Sequence, residues 1–269
     1  MYISHCHSKY SPDAKSELEE IIETAISRGV KVLTITDHCN CKFTPERNDF
    51  ITICACVDEI NALKERYSDK IKLLVGVEVA EEIFRWDDAK KIRNARNYDI
   101  ILGSCHEYKK GDVFLRTASQ EFETWSQKEI DEFVLFYYNT ILEMIKKTDI
   151  DVVCHLTLPL RYLKRRGVEF DNTRFDYLIK EIYSLMIEKK LALELNTSGA
   201  KSGLFLPDEY YLRLYRKMGG ELITIGTDSH VADNVTQGFL EGVKLLKSVG
   251  FTRYYYFENR KPIEVKIQI

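Results

Sequence analysis

Residues 16–38 read Ser-Glu-Leu-Glu-Glu-Ile-Ile-Glu-Thr-Ala-Ile-Ser-Arg-Gly-Val-Lys-Val-Leu-Thr-Ile-Thr-Asp-His, and they hold one complete unit of the fold. Leu18, Ile21, Ile22 and Ala25 stand at i, i+3, i+4 and i+7, an apolar stripe of helical period. Ser16 with Glu19 has the spacing of a capping box, and Gly29 follows the last turn as a stop. Val32–Thr36 is then short, apolar and uninterrupted, as a strand is when helices cover a parallel sheet. The unit ends in Asp37-His38, so it delivers an imidazole to the carboxyl end of a strand.

The same alternation runs outward in both directions. Strands are expected near Tyr2–His5, Val32–Thr36, Leu73–Glu78, Ile100–Ser104, Val152–His155, Ala192–Asn196 and Leu222–Thr227. Helices are expected near Ser16–Arg28, Asp49–Tyr67, Asp87–Arg96, Ser126–Lys147, Arg174–Lys189, Asp208–Met218 and Val235–Val249. That makes seven β-α units. No low-complexity linker or compositional shift divides them, so one α/β domain over residues 1–269 is expected. Tyr254–Phe257 and Ile263–Ile269 also read as strands, closing the bottom of the fold or adding an edge. In folds of this class chemistry belongs at the carboxyl ends of the strands.

All six histidines fall at such ends: His5, His7, His38, His106, His155 and His230. Glu78 closes Leu-Leu-Val-Gly-Val-Glu, and Asp228 precedes His230 by two residues. Strand termini on one side of a sheet or barrel converge, and imidazoles with carboxylates in one place are what divalent metals require. His5 and His7, like Asp228 and His230, are two apart, so in extended chain each pair faces one side. Cys6, Cys105 and Cys154 are then expected to face away from the neighbouring histidines as small packing groups. Cys39 and Cys41, and Cys54 and Cys56, form Cys-x-Cys pairs; the second pair lies in a helical stretch, where residues two apart do not share a face, and reads as small buried residues.

Composition bounds the partners. Hydrophobic residues are 45% and charged residues 30% of 269, enough for a large core. A net charge of -3, with no basic stripe carrying aromatics, disfavours nucleic acid and anionic membrane as partners. No apolar run approaches the roughly 20 residues of a membrane span. Met1 leads straight into a strand-like segment with no signal-peptide pattern, and seven cysteines, an odd number, argue for a reducing cytoplasm over a disulfide framework.

His5-x-His7, Thr36-Asp37-His38, Gly76-Val77-Glu78, Gly103-Ser104-Cys105-His106, Cys154-His155 and Thr227-Asp228-Ser229-His230 resemble the ordered motifs of the PHP (polymerase and histidinol phosphatase) superfamily. Glu194-Leu-Asn196-Thr-Ser-Gly199, Leu214–Glu221 and Tyr254–Phe257 with Asn259-Arg-Lys-Pro262 resemble its histidinol-phosphate phosphatase branch. The resemblance implies a distorted (β/α)7 TIM-like barrel with three divalent metal ions, zinc, manganese or iron. It implies His5, His7, Glu78 and Asp228 on the first ion, and bridging Glu78 with His106 and His155 on the second. His38 and His230 would hold the third, with Asp13 at a position that often carries His in relatives. An oxygen ligand there would favour manganese or iron over zinc.

The chemistry such a centre supports is attack on a phosphoester by an acidified water, with Glu78, Asp228 and His230 at the reacting atoms. Asp228 or a coordinated water is expected to protonate the leaving oxygen. Arg161, on the loop after His155, is expected to fork onto phosphate oxygens, despite the basic neighbours Lys164, Arg165 and Arg166. Asn196 and Ser198 are expected to contact substrate or to cap the following loop. Asp37 is expected to orient a ligand and Ser104 to be structural. Glu81, Glu82, Arg85 and Arg116 are expected on loops at the mouth. The resemblance makes the substrate a small phosphate monoester, L-histidinol phosphate, cleaved to L-histidinol and phosphate in histidine synthesis. A phosphodiesterase, a nucleotidase or a protein-tyrosine phosphatase on the same scaffold is the enzymatic alternative, and a polymerase-associated metal-binding module the non-enzymatic one.

Overall fold

A computed structural model describes residues 1–42 and 48–268 of the chain. Among these the elements run β1 (Tyr2–Ile3), α1 (Leu18–Ser27), β2 (Val32–Ile35), β3 (His38–Cys39), α2 (Asp49–Arg66), β4 (Lys72–Ala80), α3 (Trp86–Ala95) and β5 (Ile100–Ser104). A hairpin of β6 (Glu107–Lys110) and β7 (Val113–Arg116) leads to α4 (Gln127–Lys147), β8 (Val152–Val153), α5 (Leu158–Arg165) and α6 (Asp176–Lys189). Then come β9 (Ala192–Asn196), α7 (Glu209–Lys217), β10 (Ile223–Gly226), α8 (Phe239–Val249), β11 (Arg253–Glu258) and β12 (Lys261–Lys266).

The strands pair in the order β1-β2-β4-β5-β8-β9-β10-β11-β12, with β3 also on β4. Every pairing through β11 is parallel; β12 returns antiparallel to β11. The outcome is a mixed α/β single domain. The final two strands form an extra edge; Ile269 lies outside the described residues. Beyond β1 the chain runs beside β10. Ser4 N donates to Ile225 O at 3.0 Å, Asp228 N to His5 O at 3.0 Å, and His7 N to Ser229 O at 2.9 Å. The first and last histidine-bearing segments therefore lie side by side.

Strand residues such as Leu33, Val75, Val77, Ile101, Leu193 and Ile225 are fully buried under the helices' apolar faces. Burying one such side chain contributes about 1.5–3 kcal/mol, so the sheet is the rigid base on which strand-end residues stand. The longest helix, α4, buries Ile130, Phe133, Val134, Tyr137, Ile141 and Met144, a 3.6-residue stripe. Its start is a full capping box between Ser126 and Glu129.

Three local expectations fail for identifiable reasons. The Ser16–Glu19 box does not form: α1 starts at Leu18, and Ser16 Oγ instead accepts from Ala232 N at 3.0 Å, tying the first βα connection to the last. Leu158–Arg165 is not a loop but helix α5, with Pro159 in its first turn where a missing N–H costs nothing. The segment after His106 is the β6–β7 hairpin, turning at Gly111 with φ 62°.

Candidate metal centre

All six imidazoles meet at one rim. His5 Nε2 lies 2.9 Å from His7 Nε2, and both lie 3.7 Å from Glu78 Oε2. Asp228 Oδ1 is 3.2 Å from His7 Nε2 and 3.8 Å from His5 Nε2. A second group has Glu78 Oε1 at 2.9 Å from His155 Nε2 and 3.2 Å from His106 Nε2, with the two Nε2 atoms 3.4 Å apart. In a third, Asp13 Oδ1 is 3.5 Å from both His38 Nε2 and His230 Nε2, which are 3.4 Å from each other. Glu78 is shared: its Oε2 also lies against His38 Nδ1, although that oxygen makes no aligned hydrogen bond.

These donors fit cations. Ring nitrogens point at one another, and one proton can satisfy only one such pair; Glu78 Oε2 is buried with no hydrogen-bond partner. Sets of three or more His and carboxylate donors, all within 4.8 Å of one another, include His5–His7–Asp228, His7–His38–His230 and His38–Glu78–His106. Such sets can hold divalent metals.

The electrostatics agree. Burial opposes charge on Glu78, yet the His106 and His38 imidazoles hold its carboxyl well below the usual carboxylate range. Burial likewise opposes charge on Asp228, while His7, His5 and Arg161 hold it well below. Burial, with His38 and His230 nearby, lowers His7 well below the ordinary imidazole value, and burial lowers His155. For His106, burial lowers and Glu78 raises, leaving it at about 9. The cluster is thus a set of ionised carboxylates and crowded imidazoles competing for protons, and cations relieve that competition.

A shell of polar groups sets each donor. Glu194 Oε1 accepts from His5 Nδ1 at 2.6 Å, and its Oε2 accepts from the His155 backbone N at 2.7 Å. Asp37 is fully buried and accepts from Ser11 Oγ at 2.6 Å; Ser11 Oγ lies 3.0 Å from His7 Nδ1. Asp37 therefore acts on His7 through Ser11, and it accepts from Ser8 N and Ser8 Oγ at 2.7 and 2.6 Å. His230 Nδ1 donates to Asp228 O at 3.0 Å. Fixing the second ring nitrogen in this way sets tautomer and ring angle. Sequence reasoning missed Glu194 and Ser11. Glu194 alternates with Asn196 on β9, and that period-2 spacing was the available signal.

Arg161 projects from α5 and is 7% exposed. Its Nη1 donates to Asp228 Oδ2 at 3.3 Å, and its Nη2 to Asn196 Oδ1 at 2.9 Å and Ser198 Oγ at 2.7 Å. Its Nε has no partner. Asn196 is fully buried and spends its amide on Glu194 and Asp228, both at 3.2 Å. Ser198 lines the outer cavity. A cavity of about 290 Å³ opens over the cluster, lined by Asp13, His38, His106, His155, Asp228 and His230. An adjoining space of about 490 Å³ shares Asp13, Arg161, Asp228 and His230, and adds Arg165 and Arg166.

Of the residues expected at the mouth, Arg116 lines the cavity, 3.7 Å from Asp13. Glu81 is buried and accepts the His106 and Glu107 amides, the second at 2.9 Å. Glu82 is buried against Arg93 at 2.5 Å, and Arg85 is held by Glu107 at 2.7 Å. Ser104 is buried with no hydrogen bond from its hydroxyl. Cys105 turns away, to Glu107 O at 3.4 Å, and Cys6 toward His7 O and Ser229 O. Cys154 does not turn away. Its Sγ is 3.5 Å from Glu78 Oε1 and 3.6 Å from His155 Nε2, because His155 takes φ 30° and breaks strand alternation.

A model of the PHP domain family matches residues 4–198, most of the chain. The chain belongs to the PHP domain family. Within the family it is similar to a probable histidinol-phosphatase of Thermotoga maritima, 27% identical over 265 residues and spanning 98% of each chain. It is 26% identical to a histidinol-phosphatase of Lactococcus lactis over 263 residues, 96% of this chain and 94% of that one. In fold it resembles a crystal structure of histidinol phosphate phosphatase from L. lactis complexed with zinc, L-histidinol and phosphate. That likeness has TM-score 0.78 and 22% identity, over 97% of this chain and 98% of that one. A putative histidinol phosphatase from Listeria monocytogenes gives TM-score 0.73 at 16% identity, over 90% of this chain and 99% of that one. Among the described residues no helix of this PHP-family chain is long and apolar enough to cross a membrane.

Proposed function

We propose that this chain is a histidinol-phosphatase: a metal-dependent hydrolase that converts L-histidinol phosphate to L-histidinol and phosphate. The observation that carries the reading is the gathering of three donor groups and one buried arginine around a single cavity. We further propose a distorted (β/α)7 barrel closed by the hydrogen bonds between the chain after β1 and β10, acting as one domain over residues 1–269 in a reducing cytoplasm.

His5, His7, Glu78 and Asp228 would hold one ion, Glu78, His106 and His155 a second, and His38, His230 and Asp13 a third. Divalent ions, when bound, supply acidified water and neutralise phosphate charge. The protein's own residues do the rest. Arg161, which lines the cavity, takes phosphate oxygens with the guanidinium edge that faces it. Asn196 and Ser198 hold the opposite edge, so the fork is aimed before substrate arrives. Asp228 is the group placed to move a proton: its Oδ1 faces His5 and His7, its Oδ2 faces Arg161, and it lines the cavity. Glu78, fully buried and shared by all three groups, fixes their spacing. His230, 30% exposed, lines the same cavity beside Asp13 and would meet the reacting phosphoester there.

Phosphate release from L-histidinol phosphate, a nucleoside monophosphate, phosphotyrosine and a phosphodiester tests the reading. The highest kcat/KM is expected for L-histidinol phosphate. A higher value on any of the others overturns the substrate, and no release from any of them overturns the activity.

A further inference from the structure

Cys154 is fully buried at the end of β8, directly beneath the donor cluster. Its Sγ lies 3.5 Å from Glu78 Oε1 and 3.6 Å from His155 Nε2. A tetrahedral ion with a sulfur ligand at about 2.3 Å and nitrogen or oxygen ligands at about 2.0–2.1 Å separates them by about 3.5 Å. Both distances match that edge. Cys154 also completes two donor groups within 4.8 Å, Glu78–Cys154–His155 and His5–Cys154–Glu194. The fully buried Glu78 carboxylate is shared: Oε1 faces Cys154 and His155, and Oε2, without a hydrogen-bond partner, faces His5, His7 and His38.

The other cysteines near the site point elsewhere. Cys6 and Cys105 face backbone carbonyls, Cys39 faces Cys41 at 3.9 Å, and Cys56 donates to Asp37 at 3.2 Å; Cys154 Sγ also has a carbonyl, Gly103 O, at 3.2 Å, but adds Glu78 and His155 to it. The difference has a local cause. His155 at φ 30° leaves strand geometry, its N–H held by Glu194, so Cys154 and His155 present their donors to the same carboxylate.

We propose that Cys154 Sγ is a ligand of the ion held by Glu78 and His155. The inference rests on the metal-centre reading above and deepens it. As the ion binds, the S–H proton passes to solvent and the sulfur's electron pair forms the new bond. Among Glu78, His106 and His155, a thiolate adds the one soft donor. It shifts this position toward zinc or iron and away from manganese or magnesium.

The test is the absorption spectrum of the protein loaded with cobalt(II) in place of its native metal. Visible ligand-field absorption reports cobalt in the site, and a near-ultraviolet sulfur-to-cobalt charge-transfer band reports thiolate on it. Both are expected in the unmodified protein. Cys154→Ser is expected to lose the charge-transfer band while keeping the ligand-field absorption, and Cys105→Ser to keep both. Ligand-field absorption without the charge-transfer band, or a band that survives Cys154→Ser, overturns the cysteine ligand and leaves the metal centre standing. No cobalt bound at all overturns both. Should Cys154→Ser not fold, cadmium NMR of the unmodified protein decides: a resonance at the downfield position of sulfur-ligated cadmium is expected, and its absence overturns the proposal.

Discussion

Glu194→Gln is the substitution that most sharply separates a built metal site from a chance cluster. Glu194 touches no phosphate in the proposed chemistry, yet it holds two donors at once. Its Oε1 takes the His5 Nδ1 proton at 2.6 Å, and its Oε2 takes the His155 amide at 2.7 Å. A glutamine can accept at one oxygen only, so one contact is lost and the other becomes a neutral bond. Hydrogen bonds to charged groups contribute about 1.5–3 kcal/mol and neutral ones about 0.5–1.5 kcal/mol. The lost contact removes about 1.5–3 kcal/mol and the neutralised one about 1 kcal/mol more, so the loss is about 2.5 kcal/mol or above, at least roughly 70-fold in kcat/KM. Carboxylates behind metal-bound histidines show a comparable effect, roughly 10- to 100-fold in metal affinity or activity. The assay is phosphate release at several metal concentrations, with bound metal measured in the same samples. Activity should fall and recover partly at high metal, because the ligands remain and only their orientation is lost. Activity within about two-fold of the unmodified protein, with unchanged metal content, would refute the role given to Glu194.

Three further outcomes are expected. Arg161→Ala should raise KM and lower kcat, reducing kcat/KM by roughly 10- to 150-fold, and Arg161→Lys should restore only part because the fork is gone; unchanged kcat/KM in a steady-state assay places Arg161 outside the site. Gly226→Ala should lower the melting temperature and the activity together, because a Cβ there would run into the Glu194 carboxylate and the His5 side chain; such overpacking costs about 1–3 kcal/mol, read by thermal unfolding. Burial pushes the Glu82 carboxyl up to about 7 despite Arg93 beside it. A carboxyl raised on folding stabilises most below its unfolded value and loses that contribution as pH rises through the folded one. Urea unfolding should therefore show stability falling between about pH 4.5 and pH 7, with a smaller fall in Glu82→Gln; equal pH profiles would sink that assignment.

The sequence announced the strand ends far better than the connections between them. The seven expected β-α strands agree with the structure to within two residues at either end, because continuous apolar runs bounded by polar residues leave little choice, whereas the last strand ends at Lys266, three residues before the expected end. His5 and His7 converge with Asp228 and His230 as their two-residue spacing implied. What stayed hidden depended on tertiary partners. The Ser16–Glu19 box yields because Ser16 caps a distant segment, at Ala232. Helix α5 has eight residues, too few for a periodic signal, and it carries a proline and three basic residues. Glu81 and Glu82 look like loop charges, but one anchors two amides and the other a half-buried arginine. Cys154 was misplaced because alternation holds only while φ stays negative, and His155 leaves that region. Strain of this kind costs on the order of 1–3 kcal/mol and gathers at functional sites.

Divalent metal bound per chain, measured by elemental analysis and followed through chelation and re-addition alongside hydrolysis of L-histidinol phosphate, probes the whole scheme at once. Stoichiometric metal in the purified protein, loss of turnover as it is stripped, and return of turnover on reloading are the predicted results. Full turnover in protein freed of metal would contradict the scheme, however well the imidazoles converge.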